Sequence, residues 1–314
     1  METVSDIADI AHVGDVSTLT LEPTTLRAAA PGRLTDLYEL TKPRMNFLVV
    51  VTTMVGYYMA ARGWSDWGRI VYTLVGTALT AAGSSVLNQY AERSFDGLMR
   101  RTAGRPLPGG RLRPAEALWF GIGLSVLGVG MLLVFVNVLT AILGALTLAL
   151  YVFVYTPAKR KTSLCTIIGA VPGAIPPVMG FTAVQGVITP EALAIFAILF
   201  VWQMPHFLAI AILYRDDYAR GGFQMLPVVD KDLGMTGRQI VLYSLALIPV
   251  TLMPALLGMA GVVYFVAALL LGIAFCGFGL VCARSKTRAD ARQLFLSSIV
   301  YLPALLAALM IDKL

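Results

Sequence analysis

Along the chain, long runs of apolar and small residues alternate with short polar stretches. A run of about 17 to 25 such residues is what an α-helix needs to cross the hydrocarbon of a bilayer. Nine stretches qualify: Arg44–Ala61, Ile70–Tyr90, Ala115–Val136, Val138–Tyr155, Ser163–Val184, Pro190–Leu213, Ile240–Leu257, Gly261–Ala283 and Gln293–Ile311. In lipid a spanning helix satisfies its own backbone polar groups, so this pattern predicts an all-α polytopic membrane protein of nine transmembrane helices, with residues 36–314 forming one transmembrane domain. The stretch 1–35 has no apolar run and carries Glu2, Asp6, Asp9, Asp15 and Glu22. It reads as a disordered or loosely attached cytoplasmic tail, not as a signal or transit peptide.

Composition agrees: 58% of the 314 residues are hydrophobic and 13% are charged, against roughly 25% charged in soluble domains. The charges that remain are distributed unevenly. If the N-terminus is cytoplasmic, all but Arg62, Arg69 and Lys313 of the 24 Lys and Arg fall in cytoplasmic segments, as the positive-inside rule demands. The expected topology is therefore N-terminus in and C-terminus out. The net charge of +6 then describes a membrane face, and no nucleic-acid partner is needed to explain it. Cys165, Cys276 and Cys282 lie in expected spans without a C-x-x-C pair, which reads as packing. Loops on the opposite side are short and nearly bare, so any site is expected at the cytoplasmic face.

There, the stretch "LNQYAERSFDGLMRRTAGRPLPGG" ends the second span with Asn88, Glu92 and Asp96 spaced four apart. Each step of four turns about 40° around a helix and rises about 6 Å, so the three share one face. Carboxylates near a helix C-terminus oppose the macrodipole, so something other than helix stability must favour them. Oxygen ligands on one face suit Mg²⁺, a hard ion that usually shares its coordination with a substrate phosphate. Arg100, Arg101 and Arg105 follow, and guanidinium groups match phosphate oxygens bidentately. The alternative is a solvated helix end held by ion pairs along its own face. After the sixth span, "LYRDDYARGGFQMLPVVDKD" places Asp216 and Asp217 at a second acidic helix end on the same side. Two such ends could converge on one diphosphate. Two histidines, one of them His12 in the tail, leave little for zinc or Ser–His chemistry, and no P-loop or G-x-G-x-x-G pattern is present.

The run "NQYAERSFDGLMRRTAGRPLP" resembles the N-x-x-x-D-x-x-x-D region of the UbiA superfamily of intramembrane prenyltransferases, in the M-x-R-T-x-x-R-P-L form carried by its protoheme IX farnesyltransferase (heme O synthase) family. "LTKPRMNFLV", "YTPAKRKTSLCTIIGAVPGAIPPVMG", "FVWQMPHFLAIAI" and "DDYARGGFQMLPVV" add to the resemblance in the same order. The resemblance implies an enzyme that joins a farnesyl group from farnesyl diphosphate to a vinyl group of heme B, with hydration, in a bacterial or archaeal cell membrane. A handover partner such as heme A synthase or a terminal oxidase assembly factor would belong to that setting.

On that reading Asn88, Glu92, Asp96, Asp216 and Asp217 are the expected Mg²⁺ ligands, with Arg105, Lys159, Arg100, Arg101 and Arg160 on the diphosphate. Tyr90, Tyr155, Phe207 and Tyr214 are candidate neighbours of the allylic cation. Trp202, Gln203 and His206 are candidates for the porphyrin, with His206 as an axial ligand to the iron. Glu92 stands where the superfamily has Asp, which keeps the carboxylate and adds a methylene; whether Asp216 or Asp217 meets the metal stays open. Pro172, Pro176 and Pro177 are breakers inside the fifth span, tolerated where a neighbour or a cavity takes up the freed carbonyls. Two alternatives share parts of this pattern: a prenyltransferase acting on an aromatic quinone precursor, and a non-catalytic transporter, whose ion site should lie near the bilayer centre.

Overall fold

The computed structural model describes residues 32–61 and 66–314. The expected tail up to residue 31, with His12 and Arg27, and Arg62 lie outside the described residues. Residues Arg33–Leu314 form one compact unit. In chain order the helices are α1 (Arg33–Leu40), α2 (Pro43–Ala60), α3 (Trp67–Asp96), α4 (Pro114–Phe135), α5 (Val138–Ala149), a π-helical turn (Leu150–Tyr155) leading into α6 (Thr156–Ala158), α7 (Cys165–Gln185), α8 (Pro190–Leu213), α9 (Arg215–Arg220), α10 (Leu226–Val229), α11 (Gly234–Leu256), α12 (Val262–Ser285) and α13 (Arg288–Ile311). Residues 33–35, expected in the tail, are the first turn of α1.

Among the described residues eight helices are long and apolar enough to cross a membrane. The expected first span, α2, is not one of the eight: it is 18 residues long, and Arg44, Asn46, one Thr–Thr pair and one Tyr–Tyr pair dilute its apolar content. It packs with the others all the same, against α7. The outward surface of the bundle carries large apolar side chains such as Val134, Phe153, Leu270 and Val300, the reverse of what water would select and the expected surface for lipid.

Helices meet closely where glycine removes the side chain. At the α2–α7 crossing a Cβ on Gly56 would lie 2.0 Å from the carbonyl oxygen of Pro177, and one on Gly180 would lie 2.0 Å from that of Thr53. The prolines of α7 do not break it; Pro172, Pro176 and Pro177 all lie inside a continuous helix. Pro177 presents its carbonyl to the α2 backbone, while Pro172 and Pro176 border a cavity. At the C-terminal end of α2, just past this crossing, Lys313 Nζ donates to the Tyr58 carbonyl at 2.6 Å, giving the orphan carbonyls of that helix end a cation.

Candidate active site

The acidic face at the end of α3 is buried, and its partners come from three segments outside that helix. Asp96 is 1% exposed and pairs with Arg105 Nη1 at 2.6 Å. Glu92 takes two bonds from Lys159 Nζ, at 2.7 and 3.0 Å. Asn88 Oδ1 accepts from Lys42 Nζ at 3.3 Å, and its Nδ2 donates to Thr156 Oγ1 at 2.9 Å. The macrodipole penalty is thus offset by cations delivered by three separate segments, not by ion pairs along the helix's own face.

Each cation is placed by local structure. Lys42 sits between α1 and α2 with φ 49°, in the left-handed region, which reverses the chain and brings the side chain onto the end of α3. α1 is itself tied down: Gln89 Nε2 donates to the Leu40 carbonyl at 2.6 Å, and Arg111 reaches Asp36 at 2.7 Å and Glu39 at 2.9 Å. Arg105 is held in a loop whose Thr102 hydroxyl donates to the Asp96 carbonyl at 2.7 Å. Lys159 follows the π-helical turn, where the Thr156 N–H and hydroxyl both donate back to the Tyr151 carbonyl. The extra residue in that turn leaves Tyr151 and Tyr155 both on the cavity, ring centroids 5.3 Å apart, with Lys159 Nζ 4.6 Å from the Tyr155 centroid.

Three cations around this one face repel one another. Burial, then Arg105 and Lys159, push the Lys42 ammonium down to about 7, with Glu92 and Asp96 pulling the other way. Lys159 goes up: burial works against its charge, but the Tyr155 ring and the Glu92 carboxylate outweigh it. A polyanion entering here would relieve Lys42 and find three donors already converged.

The second acidic loop contributes one aspartate. Asp217 is 9% exposed and accepts from the Arg100 backbone N–H at 3.3 Å, which joins it to the loop after α3; it also pairs with Arg220. Asp216 does not share its place: its side chain is 67% exposed and pairs with Arg288 of α13. Consecutive helical residues point about 100° apart, so only one of the two can face the site. Among the described residues no three His, Cys, Asp or Glu side chains cluster so as to hold a metal by themselves. The donor set is oxygen-rich and incomplete, which fits Mg²⁺ shared with a substrate phosphate: Asn88, Glu92, Asp96 and Asp217 would hold it.

Arg100, Arg101 and Arg160 do not join the inner group. All three are exposed. Arg101 lies over the Tyr214 ring at 5.1 Å and Arg160 over Phe95 at 3.8 Å, contacts that use the flat guanidinium on aromatic faces. Tyr214, with Arg101 on it, and Tyr90, with Arg93 4.4 Å over its ring, are not among the residues that line the cavity.

That cavity, about 500 Å³, runs between α2, α3, the π-helical turn, α7, α8 and α13. Its walls include Lys42, Tyr151, Tyr155, Trp202, Gln203, His206 and Phe207. Gly173 leaves room for Gln203, whose Oε1 would lie 2.0 Å from an added Cβ. Lys42, Tyr151 and Thr156 were not distinguishable from sequence: the first is one more base in a basic segment, and the other two depend on an irregular turn.

An ion-paired polar face joined through Lys42 and Tyr155 to an apolar, aromatic-walled cavity inside a helical bundle defines an intramembrane enzyme for an amphiphilic substrate with an anionic head. The profile of the UbiA prenyltransferase family matches residues 49–302, and the chain belongs to that family. Its similar relatives include the protoheme IX farnesyltransferases of Solibacter usitatus, 49% identical over 88% of this chain and 98% of that one, and of Myxococcus xanthus, 44% identical over 90% and 96%. Among solved structures, digeranylgeranylglyceryl phosphate synthase matches with a TM-score of 0.73 at 17% identity, covering 89% of this chain and 98% of that one. A UbiA homolog from Archaeoglobus fulgidus bound to DMAPP and Mg²⁺ matches with a TM-score of 0.65 at 16% identity over 87% and 99%. At these identities the two structures establish the fold.

Proposed function

We infer that the chain is a protoheme IX farnesyltransferase: it transfers the farnesyl group of farnesyl diphosphate to a vinyl group of heme B, with addition of water, giving heme O and diphosphate. The observation that carries this reading is the link from the ion-paired face to the cavity through Lys42 and Tyr155, in a chain 49% identical to a protein of that name. Heterolysis of the allylic C–O bond leaves the electron pair on the diphosphate. Arg105, Lys159 and Lys42 receive that charge, and Asn88, Glu92, Asp96 and Asp217 would hold Mg²⁺ beside it. When bound, Mg²⁺ supplies Lewis-acid stabilisation of the leaving group. Tyr151, Tyr155 and Phe207 offer π faces to the allylic cation and exclude bulk water. The vinyl π pair forms the new C–C bond, water adds to the neighbouring carbon, and one proton is released. Trp202, Gln203 and His206 face the porphyrin, with the His206 imidazole as ligand to its iron.

Incubation of the purified protein with heme B, farnesyl diphosphate and Mg²⁺, followed by mass analysis, tests the reading. A porphyrin heavier by the mass of one farnesol is expected; unchanged heme B, in protein that binds both substrates, rules it out. Lys42→Met is expected to raise the half-saturating farnesyl diphosphate concentration about tenfold, the loss of one charge-assisted contact, with heme affinity unchanged. Equal values for both substrates would remove Lys42 from the diphosphate.

The orientation belongs to the same proposal. With the N-terminus cytoplasmic, nine spans put the loop after α3 and the loop after α8 on the cytoplasmic face and the C-terminus outside. A cysteine introduced at position 97 should be labelled from the cytoplasmic side and one at position 186 from the other; the reverse pattern inverts the topology. Residues 36–314 act as a single membrane domain, and the product leaves for the next heme-modifying or oxidase-assembly protein.

A further inference from the structure

His206 is the only histidine among the described residues, and it is held by a single residue on another helix. Its Nδ1 lies 2.6 Å from Ser298 Oγ, and Ser298 Oγ lies 2.6 Å from the Phe295 carbonyl. A carbonyl cannot donate, so the serine's one proton goes to Phe295 and its oxygen accepts from the ring. The proton of a neutral His206 is therefore on Nδ1. The lone pair is on Nε2, for which no hydrogen-bond partner exists among the described residues, and the side chain borders the cavity.

The same serine fixes the ring's neighbour. The Trp202 indole N–H donates to the Ser298 carbonyl at 3.1 Å, and the indole stacks on His206 with centroids 4.8 Å apart and planes 25° apart. Phe295, one turn before Ser298, closes another side of the imidazole at 5.2 Å. Ser298 is fully buried, so neither bond competes with water. Trp202 and His206 occupy adjacent turns of one face of α8, and both are tied to one residue of α13.

We propose that Ser298 is the positioning residue of the heme subsite: it sets the tautomer and the plane of His206 so that Nε2 is presented to the iron of the bound porphyrin. A metal-ligating histidine ordinarily gives its second N–H to a fixed acceptor, and losing that acceptor weakens the metal bond about ten- to a hundredfold. Ser298 is such an acceptor, supplied by a hydroxyl already committed to its own helix. The assignment rests on the heme reading of the cavity and adds to it the residue that aims the ligand.

The test is titration of the purified full-length protein, and of its Ser298→Ala, Ser298→Thr and His206→Ala variants, with heme B, read by the Soret band and by the resonance Raman band of the iron–histidine bond. Binding of farnesyl diphosphate to each variant is measured in parallel. Ser298→Ala should weaken heme binding about tenfold and shift the iron–histidine band, Ser298→Thr should restore both through its own hydroxyl, and His206→Ala should abolish the band. Farnesyl diphosphate binding should stay unchanged throughout, which also shows that the variants are folded. If Ser298→Ala matches the parent in affinity and in the iron–histidine band, the positioning role is overturned. If His206→Ala matches the parent in both, the ligand assignment falls and the positioning role with it. A parent protein that binds no heme at all would instead overturn the functional reading itself.

Discussion

Asp96→Asn is expected to lower turnover about a hundredfold, or roughly 2.7 kcal/mol of transition-state stabilisation, the loss that follows removal of one strong electrostatic group at a reacting centre. Asp96 is buried at the end of α3, its carboxylate on Arg105 and its carbonyl on Thr102. The amide keeps the shape and removes the charge, so the shared cation loses a ligand and Arg105 loses the partner that orients it. Glu92→Gln should behave in the same way, because it frees Lys159. Single-turnover rates at saturating farnesyl diphosphate separate this from a binding defect. If both variants turn over like the parent, the carboxylates are structural counter-ions only.

The largest effect on stability is expected at the α2–α7 crossing. Gly56→Val would drive its Cβ into the Pro177 carbonyl, 2.0 Å away, and neither partner can yield. The carbonyl belongs to the backbone of a helix, and Gly180 holds the reciprocal contact with Thr53. Overpacking typically costs about 1–3 kcal/mol, and a contact this short with a helix backbone belongs at the upper end. The thermal midpoint in detergent should fall sharply, and heme and farnesyl diphosphate binding should be lost together, because α2 and α7 both wall the cavity. Gly123→Ala on α4, which meets nothing within 4 Å, is the control and should be neutral; a Gly56→Val protein as stable as that control would mean the crossing is looser than the geometry allows.

Hydropathy and spacing carried a great deal. The apolar runs located α3 to α5, α7, α8 and α11 to α13, with ends that differ by up to six residues, because in a bilayer each spanning helix must satisfy its own backbone, and length and composition alone announce it. The four-residue spacing of Asn88, Glu92 and Asp96 put them on one face, because helical geometry is local. Contacts across the bundle are another matter. Nothing in the sequence near Glu92 and Asp96 pairs them with Lys159 and Arg105 rather than with Arg100, Arg101 or Arg160, since equal charges in neighbouring loops differ only in where the loops fold. The choice between Asp216 and Asp217 was decided by the α9 rotation that turns one toward Arg288 and the other toward the loop after α3. Lys42 depends on a left-handed turn, Tyr151 on a π-helical one, and Ser298 on α13 lying against α8. The sequence by itself determined which spanning helices exist and which of their faces are polar, since those follow from backbone hydrogen bonding and helical periodicity; the tertiary structure alone decided which charge meets which and which nitrogen of His206 is hydrogen-bonded, because those depend on segments brought together from as far as 117 residues apart.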